Sequence, residues 1–105
     1  MNTPSWWSSY SARIATGYIS LGNARARWEC NLGEIREVEG VYCFVISFDF
    51  MPGSSSAGTC IDDRLVPAES AWSNSENGYP ALERYIGFCA NGHMKHWLQG
   101  NRKGG

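Results

Sequence analysis

The chain has 105 residues, 43% of them apolar, and its nine basic and ten acidic residues give a net charge of −1. The apolar share excludes a disordered chain, the length leaves room for one hydrophobic core, and the balanced charge disfavours a nucleic-acid partner, which normally meets a basic surface. Because no apolar run reaches the length of a membrane span and no secretory leader is visible, we expect a cytoplasmic protein without a membrane partner.

The N-terminal segment has the pattern of a helix start. Thr3 is a suitable N-cap, and Pro4 is favoured at the first helical position. Trp7 and Tyr10 follow at helical spacing. The sequence therefore predicts a short helix over residues 4–15.

The segments that follow have the two-residue period of strands. Residues 24–32 alternate strictly between apolar and polar side chains, and residues 41–50 place aromatic side chains along one face. Residues 18–21 predict a further strand. Glu39 and Gly40 stand between the two long segments as a two-residue hairpin turn, in which glycine tolerates positive φ. The sequence therefore predicts an antiparallel hairpin with a central strand at 41–50.

This hairpin predicts a register for the paired strands. Pairing outward from Val38 opposite Val41 places Ile35 opposite Phe44. An uninterrupted ladder would turn the apolar residues of the first strand away from the face that holds Phe44, because side chains alternate along a strand. One extra residue restores a shared apolar face, so we predict a bulge at Gly33-Glu34.

The middle of the chain predicts loops and short elements. Residues 52–58 have the composition of a flexible loop, and residues 60–61 together with 65–66 predict a short edge strand. Residues 68–72 predict one helical turn, and residues 73–78 predict a loop.

Two interpretations compete for the C-terminal part. Pro80 as a helix start and Asn91-Gly92 as a left-handed stop predict a helix over 80–90, followed by a short strand at 94–98. Asn91-Gly92 can instead form the turn of a hairpin. We favour the helix, because proline is poor inside a strand. Residues 99–105 are polar and rich in glycine, which predicts a flexible tail.

Together these elements predict an α+β fold. The expected architecture is a curved antiparallel sheet of about four to five strands with two or three short helices packed on one face. We expect a single domain over residues 1–98 and the flexible C-terminal tail over residues 99–105.

The aromatic content is the strongest functional signal. Five tryptophans exceed what so small a core can comfortably enclose, and exposed aromatic clusters are typical of ligand grooves and subunit contacts. Each tryptophan taken alone is best interpreted as a core residue. The candidates for a ligand site or an interface are Trp6, Trp7, Trp28, Trp72 and Trp97.

Titratable side chains provide weaker candidates. Cys89, His93 and His96 are suitable ligands for zinc or copper, but they share a face only if the helix continues beyond its predicted stop, and no fourth ligand is obvious. Asp49 is flanked by aromatic residues, and Cys60 is the most accessible thiol by position. No local catalytic signature surrounds either of them.

The function that these observations favour is a non-enzymatic binding or interaction module. We expect it to self-associate, as a homodimer, and to contact a protein partner or an apolar small ligand through its surplus aromatic side chains. The alternative is a small enzyme or a metal-binding protein that uses the titratable candidates. No motif implies a cofactor. The lack of a recognisable motif suits a lineage-specific accessory protein.

Overall fold

The computed structural model describes the backbone of residues 3–104 and the side chains of residues 3–100. Its sheet has four antiparallel strands in the order β1-β2-β3-β4, and a helix packs on it. The strands are β1 (Ile14–Leu21), β2 (Ala24–Val38), β3 (Val41–Phe50) and β4 (Arg64–Pro67), and the helices are a 3₁₀-helix (Trp7–Ser9), α1 (Ala68–Ser73) and α2 (Tyr79–Gly104).

The α+β class and the antiparallel sheet are therefore confirmed, but two details of the predicted fold are wrong. The sheet is not strongly curved, and one of the two α-helices in the described part of the chain is long, whereas only short helices were predicted. The long helix α2 covers one face of the sheet and contacts β1, β2 and β4.

The hairpin between β2 and β3 follows the predicted register. Val38 pairs with Val41, and Ile35 pairs with Phe44. Glu39 and Gly40 form the turn with φ values of 51° and 82°. Two successive positive φ values match the right-handed twist of the flanking strands, which is why the turn joins them without splaying the pair.

The predicted interruption of this ladder lies where the sequence places it, but it is larger than one residue. Between the Cys30–Ile46 pair and the Ile35–Phe44 pair, the four residues 31–34 of β2 stand against Val45 alone. The surplus in β2 is odd, so the side-chain alternation changes face across it. Cys30, Ile46 and Phe44 consequently all point into the core.

The N-terminal helix predicted over residues 4–15 is wrong. Only Trp7–Ser9 are helical, and Ile14 already begins β1. The segment from Ile14 onward contains several β-branched residues and pairs along its whole length with β2, so sheet pairing overrides the helical spacing upstream. Thr3 does not cap the short helix, whose N-cap position is Trp6.

Helix α2 starts as predicted beside Pro80, but its predicted end is wrong. It continues through Asn91-Gly92, so the strand predicted at 94–98 and the alternative hairpin are both wrong. Leu82, Ile86, Ala90 and Met94 lie at four-residue spacing, and all four are fully buried. Burying this row stabilises the helix by more than the roughly 1 kcal/mol that an internal glycine costs.

The last residues continue the same helix. The backbone is helical to Gly104, and Gly105 lies outside the described residues. The predicted flexibility of residues 99–105 stays a prediction.

The short elements between β3 and α2 are close to those predicted. Residues 65–66 lie in β4, whereas residues 60–61 lie in the preceding loop, and the helical turn at 68–72 lies in α1. The loop at 52–58 is held by Ser54, whose Oγ accepts a hydrogen bond from the backbone N–H of Arg25 at 2.9 Å. This contact ties the loop to the start of β2.

The core lies between the inner face of the sheet and the helices, and its centre is aromatic. The ring of Trp7 lies 5.6 Å from that of Phe44 and 5.2 Å from that of Trp72. Trp28 passes between Gly17 of β1 and Gly87 of α2, and a Cβ atom at Gly17 would collide with its indole. No helix within residues 3–104 is both long and apolar enough to cross a membrane.

Candidate functional site

The five candidate tryptophans fall into two groups. Trp7, Trp28 and Trp72 are buried in the core, whereas Trp6 and Trp97 are partly exposed. The ring of Trp97 lies 5.4 Å from that of Phe50. Their role as ligand or interface residues stays a prediction, and only Trp6 and Trp97 have surface available for it.

Asp49 and Cys60 lie on exposed surfaces. Asp49 of β3 stands opposite Arg27 of β2 in the strand register, on the outer face of the sheet, which α2 does not cover. Cys60 lies exposed in the loop before β4, which confirms that this thiol is accessible. Among the described residues, neither side chain has a hydrogen-bonded acid–base partner.

Helix α2 brings the other titratable candidates together. Because the helix continues through Gly92, Cys89, His93 and His96 lie at positions i, i+4 and i+7 and share one side of it. This side borders an open groove of about 520 Å³, which we call the α2 groove. The α2 groove is lined by Arg64, Tyr85, Phe88, Cys89, Gly92, His93 and His96.

His93 lines the α2 groove and is held in place by two contacts. Its Nε2 lies 2.9 Å from the backbone oxygen of Asp62, and its ring lies 5.5 Å from that of Phe48. Because a carbonyl oxygen only accepts hydrogen bonds, His93 must carry its proton on Nε2. This N–H is therefore engaged with Asp62 and is not available to a ligand.

Tyr85 and Arg64 also line the α2 groove. Burial raises the pKa of the Tyr85 phenol, the neighbouring Cys89 thiol raises it further, and the guanidinium of Arg64 lowers it. Since the net effect raises the pKa, the phenol stays protonated near neutral pH and can donate a hydrogen bond. Arg64 is exposed and forms no ion pair within residues 3–100.

The outer part of the α2 groove is apolar and open. Phe88 is 76% exposed, the largest exposed fraction of any large hydrophobic side chain in the described residues. Gly92 lies one turn beyond Phe88 and one turn before His96, and a Cβ atom there would meet nothing within 4 Å. The missing side chain leaves open space between the phenyl ring and the imidazole.

The α2 groove is not arranged as a metal site. Within the part of the chain that the structure describes, no three His, Cys, Asp or Glu side chains are grouped so that they could hold a metal ion. The shared helix face of Cys89, His93 and His96 is therefore not sufficient for the zinc or copper site considered from the sequence.

A second open cleft, of about 540 Å³, lies beside the bulge on β2. It is slightly larger than the α2 groove, but its lining is polar and includes the carboxylates of Glu29, Glu34 and Asp63. The guanidinium of Arg36 forms an ion pair with Asp63 at 3.9 Å. This cleft has no aromatic side chain and its one cation is already paired. We therefore regard the α2 groove as the better candidate.

Comparison with known proteins finds no match to a family model, a curated protein or a solved structure.

Sequence reasoning identified only part of this groove. Cys89, His93 and His96 were found, but Arg64, Tyr85 and Phe88 were not. A helix predicted to continue through Gly92 would have placed Tyr85 and Phe88 on the same side as His93 and His96. Arg64 belongs to β4, and no local pattern relates it to a helix that begins at residue 79.

Proposed function

We propose that this protein is a non-enzymatic binding module whose α2 groove holds a small organic anion with an aromatic or apolar group. The observation that carries this proposal is the combination of an exposed Phe88 with an unpaired cation, Arg64, in one groove of the described structure.

The charges that line the α2 groove favour an anion. Arg64 is permanently charged, His96 can donate a hydrogen bond, and the lining contains no carboxylate. The planar guanidinium of an arginine matches the geometry of a carboxylate or sulfonate and can form two parallel hydrogen bonds with it. The protonated phenol of Tyr85 supplies another donor in the lining.

The apolar part of the α2 groove favours an aromatic or aliphatic group next to that anion. Burying an exposed phenylalanine side chain contributes about 1.5–3 kcal/mol, and Phe88 is mostly exposed without a ligand. The volume of about 520 Å³ falls within the range of about 300–1,000 Å³ that is usual for small-molecule sites.

The proposal also includes a cytoplasmic location, a homodimer and the absence of a nucleic-acid partner. The balanced charge of the chain supports the last point. The four cysteines are free thiols in the structure, which fits a reducing compartment. The enzymatic alternative has less support, since Asp49 and Cys60 lie outside the α2 groove and the lining that holds Cys89, His93 and His96 contains no carboxylate to act with them.

The test is a titration with two matched probes, 2-naphthoate and its neutral analogue 2-naphthamide, followed by calorimetry and by amide chemical shifts. We expect 2-naphthoate to bind and to shift the amides around Phe88 and Gly92. Arg64→Met should weaken binding of 2-naphthoate about tenfold, or about 1.4 kcal/mol, and leave 2-naphthamide unchanged. Phe88→Ala should weaken both probes.

The control for Arg64→Met is Arg84→Met, because Arg84 is exposed on α2 but does not line the groove. Arg84→Met should bind 2-naphthoate as the wild type does. Equal losses in the two arginine variants, or equal binding of the charged and neutral probes by the wild type, would contradict the proposal.

A further inference from the structure

The two edges of the sheet differ in how well they are protected. Strand β4 is short, begins with Arg64, ends with Pro67 and follows two aspartates. Strand β1 spans Ile14–Leu21 and contains no charged residue and no proline. Charges, proline and shortness are the usual means of preventing a sheet edge from pairing with another chain. The edge at β1 has none of them.

The backbone groups at this open edge can be assigned from the ladder. The N–H of Leu32 donates to the carbonyl of Arg13, which lies directly opposite, at 2.9 Å. Hydrogen-bonded and non-bonded pairs alternate along an antiparallel ladder, so Ala15, Gly17 and Ile19 bond to β2. The residues whose N–H and C=O groups point to the open edge are Ile14, Thr16, Tyr18 and Ser20. No other segment of the described chain hydrogen-bonds to them.

The side chains along the same edge add apolar surface. Ile14 is 52% exposed and Tyr18 is 71% exposed, and both stand on the outer face of the sheet. A row of unsatisfied backbone groups flanked by exposed apolar side chains is the pattern of a strand that accepts another strand.

We propose that a second copy of this chain pairs with β1 through an antiparallel, two-fold symmetric contact centred on Gly17. The inference rests on the self-association included in the proposed function and does not depend on the α2 groove. In this register Ile14 lies opposite the partner's Ser20, and Thr16 lies opposite the partner's Tyr18. Every backbone donor at the edge then meets an acceptor, and the two sheets form one continuous sheet.

A second copy fits this edge because the contact is self-complementary. A two-fold axis repeats each pair reciprocally, so one strand supplies all the groups that its copy requires. The strand is uncharged, so two copies meet without like-charge repulsion. A register shifted by two residues would leave Ile14 or Ser20 unpaired, which is why the centre falls at Gly17.

The test combines the oligomeric state with backbone protection. Sedimentation equilibrium between about 1 and 200 μM should show a dimer for the wild type. At dimer concentrations the amides of Ile14, Thr16, Tyr18 and Ser20 should be protected from hydrogen exchange. Tyr18→Lys adds a charge at the edge, and Thr16→Pro removes an outward N–H that the ladder with β2 does not use. Each should weaken association at least tenfold.

The matched control is Tyr42→Lys, which changes an equally large side chain, 45% exposed, on the inner strand β3. It should remain dimeric, and thermal unfolding followed by circular dichroism should show that all variants are folded. A wild type that is monomeric at 200 μM, or a dimer in which the four edge amides exchange freely, would overturn the proposal.

The two proposals fail separately. Because the α2 groove and the β1 edge share no residue, monomeric Tyr18→Lys should still bind 2-naphthoate with the wild-type affinity. A monomeric wild type that binds 2-naphthoate overturns only the dimer, and a dimer that does not bind it overturns only the groove.

Discussion

The cysteine thiols have unequal surroundings although the sequence spaces them without any pattern. Cys30 is completely buried on the inner face of β2, and burial raises the pKa of its thiol from the ordinary 9.0 to about 12. Cys43 is also buried and donates to the carbonyl of Val41. Cys60 is exposed, and Cys89 is half-buried beside the α2 groove. Burial separates an inert thiol from accessible ones.

The shifted pKa of Cys30 predicts a loss of stability at alkaline pH. The folded protein keeps this thiol neutral, whereas the unfolded chain releases its proton above about pH 9. The stabilisation is therefore complete below pH 9 and is lost progressively as the pH rises toward 12. Within that range the free energy of unfolding should fall by up to about 1.4 kcal/mol per pH unit from this group.

Urea unfolding of the wild type and of Cys30→Ala at several values between pH 7.5 and 10.5 measures this contribution. Tyr79 and Tyr85 also have raised pKa values, mainly through burial. They change the free energy of unfolding with pH equally in the wild type and in the variant. The wild type should lose stability more steeply than the variant. Parallel curves would show that the thiol of Cys30 is solvated in the folded protein.

At the scale of elements, the strands were predictable because their pattern is local. The alternation in residues 24–32 and 41–50, and the turn at Glu39, fix β2 and β3 and their pairing. The bulge was located because one face has to hold all the apolar side chains. The size of the bulge was not predictable, because the apolar pattern determines only whether the number of extra residues in β2 is odd.

The helices were harder to predict because their ends depend on tertiary contacts. Asn91-Gly92 is a suitable local stop, but the burial of Met94 against the sheet continues the helix. The predicted end of the helix at Asn91-Gly92 also affected the prediction of the site, because Cys89 and His93 line one groove only if the helix is continuous. Arg64 enters from another element, and Phe88 was not predictable as exposed from its residue type.

The continuity of α2 makes a prediction about two glycines. Gly92 lies inside the helix with open space around it, whereas Gly78 precedes α2 with a φ of 101°. Gly92→Ala should raise the free energy of unfolding by about 0.5–1 kcal/mol, because alanine restricts the unfolded chain and favours the helix. Gly78→Ala should lower it by about 1–3 kcal/mol, because an L-residue is strained at positive φ.

Chemical denaturation of the two variants and the wild type gives the comparison. The opposite signs are the expected result, since neither new methyl group would meet a close neighbour. If Gly92 were the left-handed stop suggested by the sequence, both substitutions would destabilise the protein.

At the scale of the whole molecule, one aromatic cluster connects parts of the chain that are far apart in sequence. Trp7 comes from the N-terminal segment, Phe44 from β3 and Trp72 from α1, and their rings lie within 5.8 Å of one another. The α2 groove and the β1 edge lie outside this cluster. The cluster therefore holds the fold together, while the two proposed binding surfaces remain exposed.

This arrangement predicts that Trp7 contributes to global stability although it belongs to no strand and to no long helix. Trp7→Ala should lower the free energy of unfolding by about 3–5 kcal/mol, because truncating a buried indole loses its burial and leaves a cavity. A domain of this size has only about 5–15 kcal/mol in total, so the variant should be marginal. The control Trp97→Ala removes a partly exposed ring and should cost less than half as much.

Urea unfolding followed by circular dichroism measures both variants without depending on tryptophan emission. Trp7→Ala should also lower the m-value, because an N-terminal segment that loses its anchor in the core exposes less additional surface on unfolding. Hydrogen exchange should accelerate at Tyr10 and Arg13, whose amides bond within that segment. If Trp7→Ala and Trp97→Ala lowered the free energy of unfolding equally, the N-terminal segment would be packed on the surface and would not be part of the core.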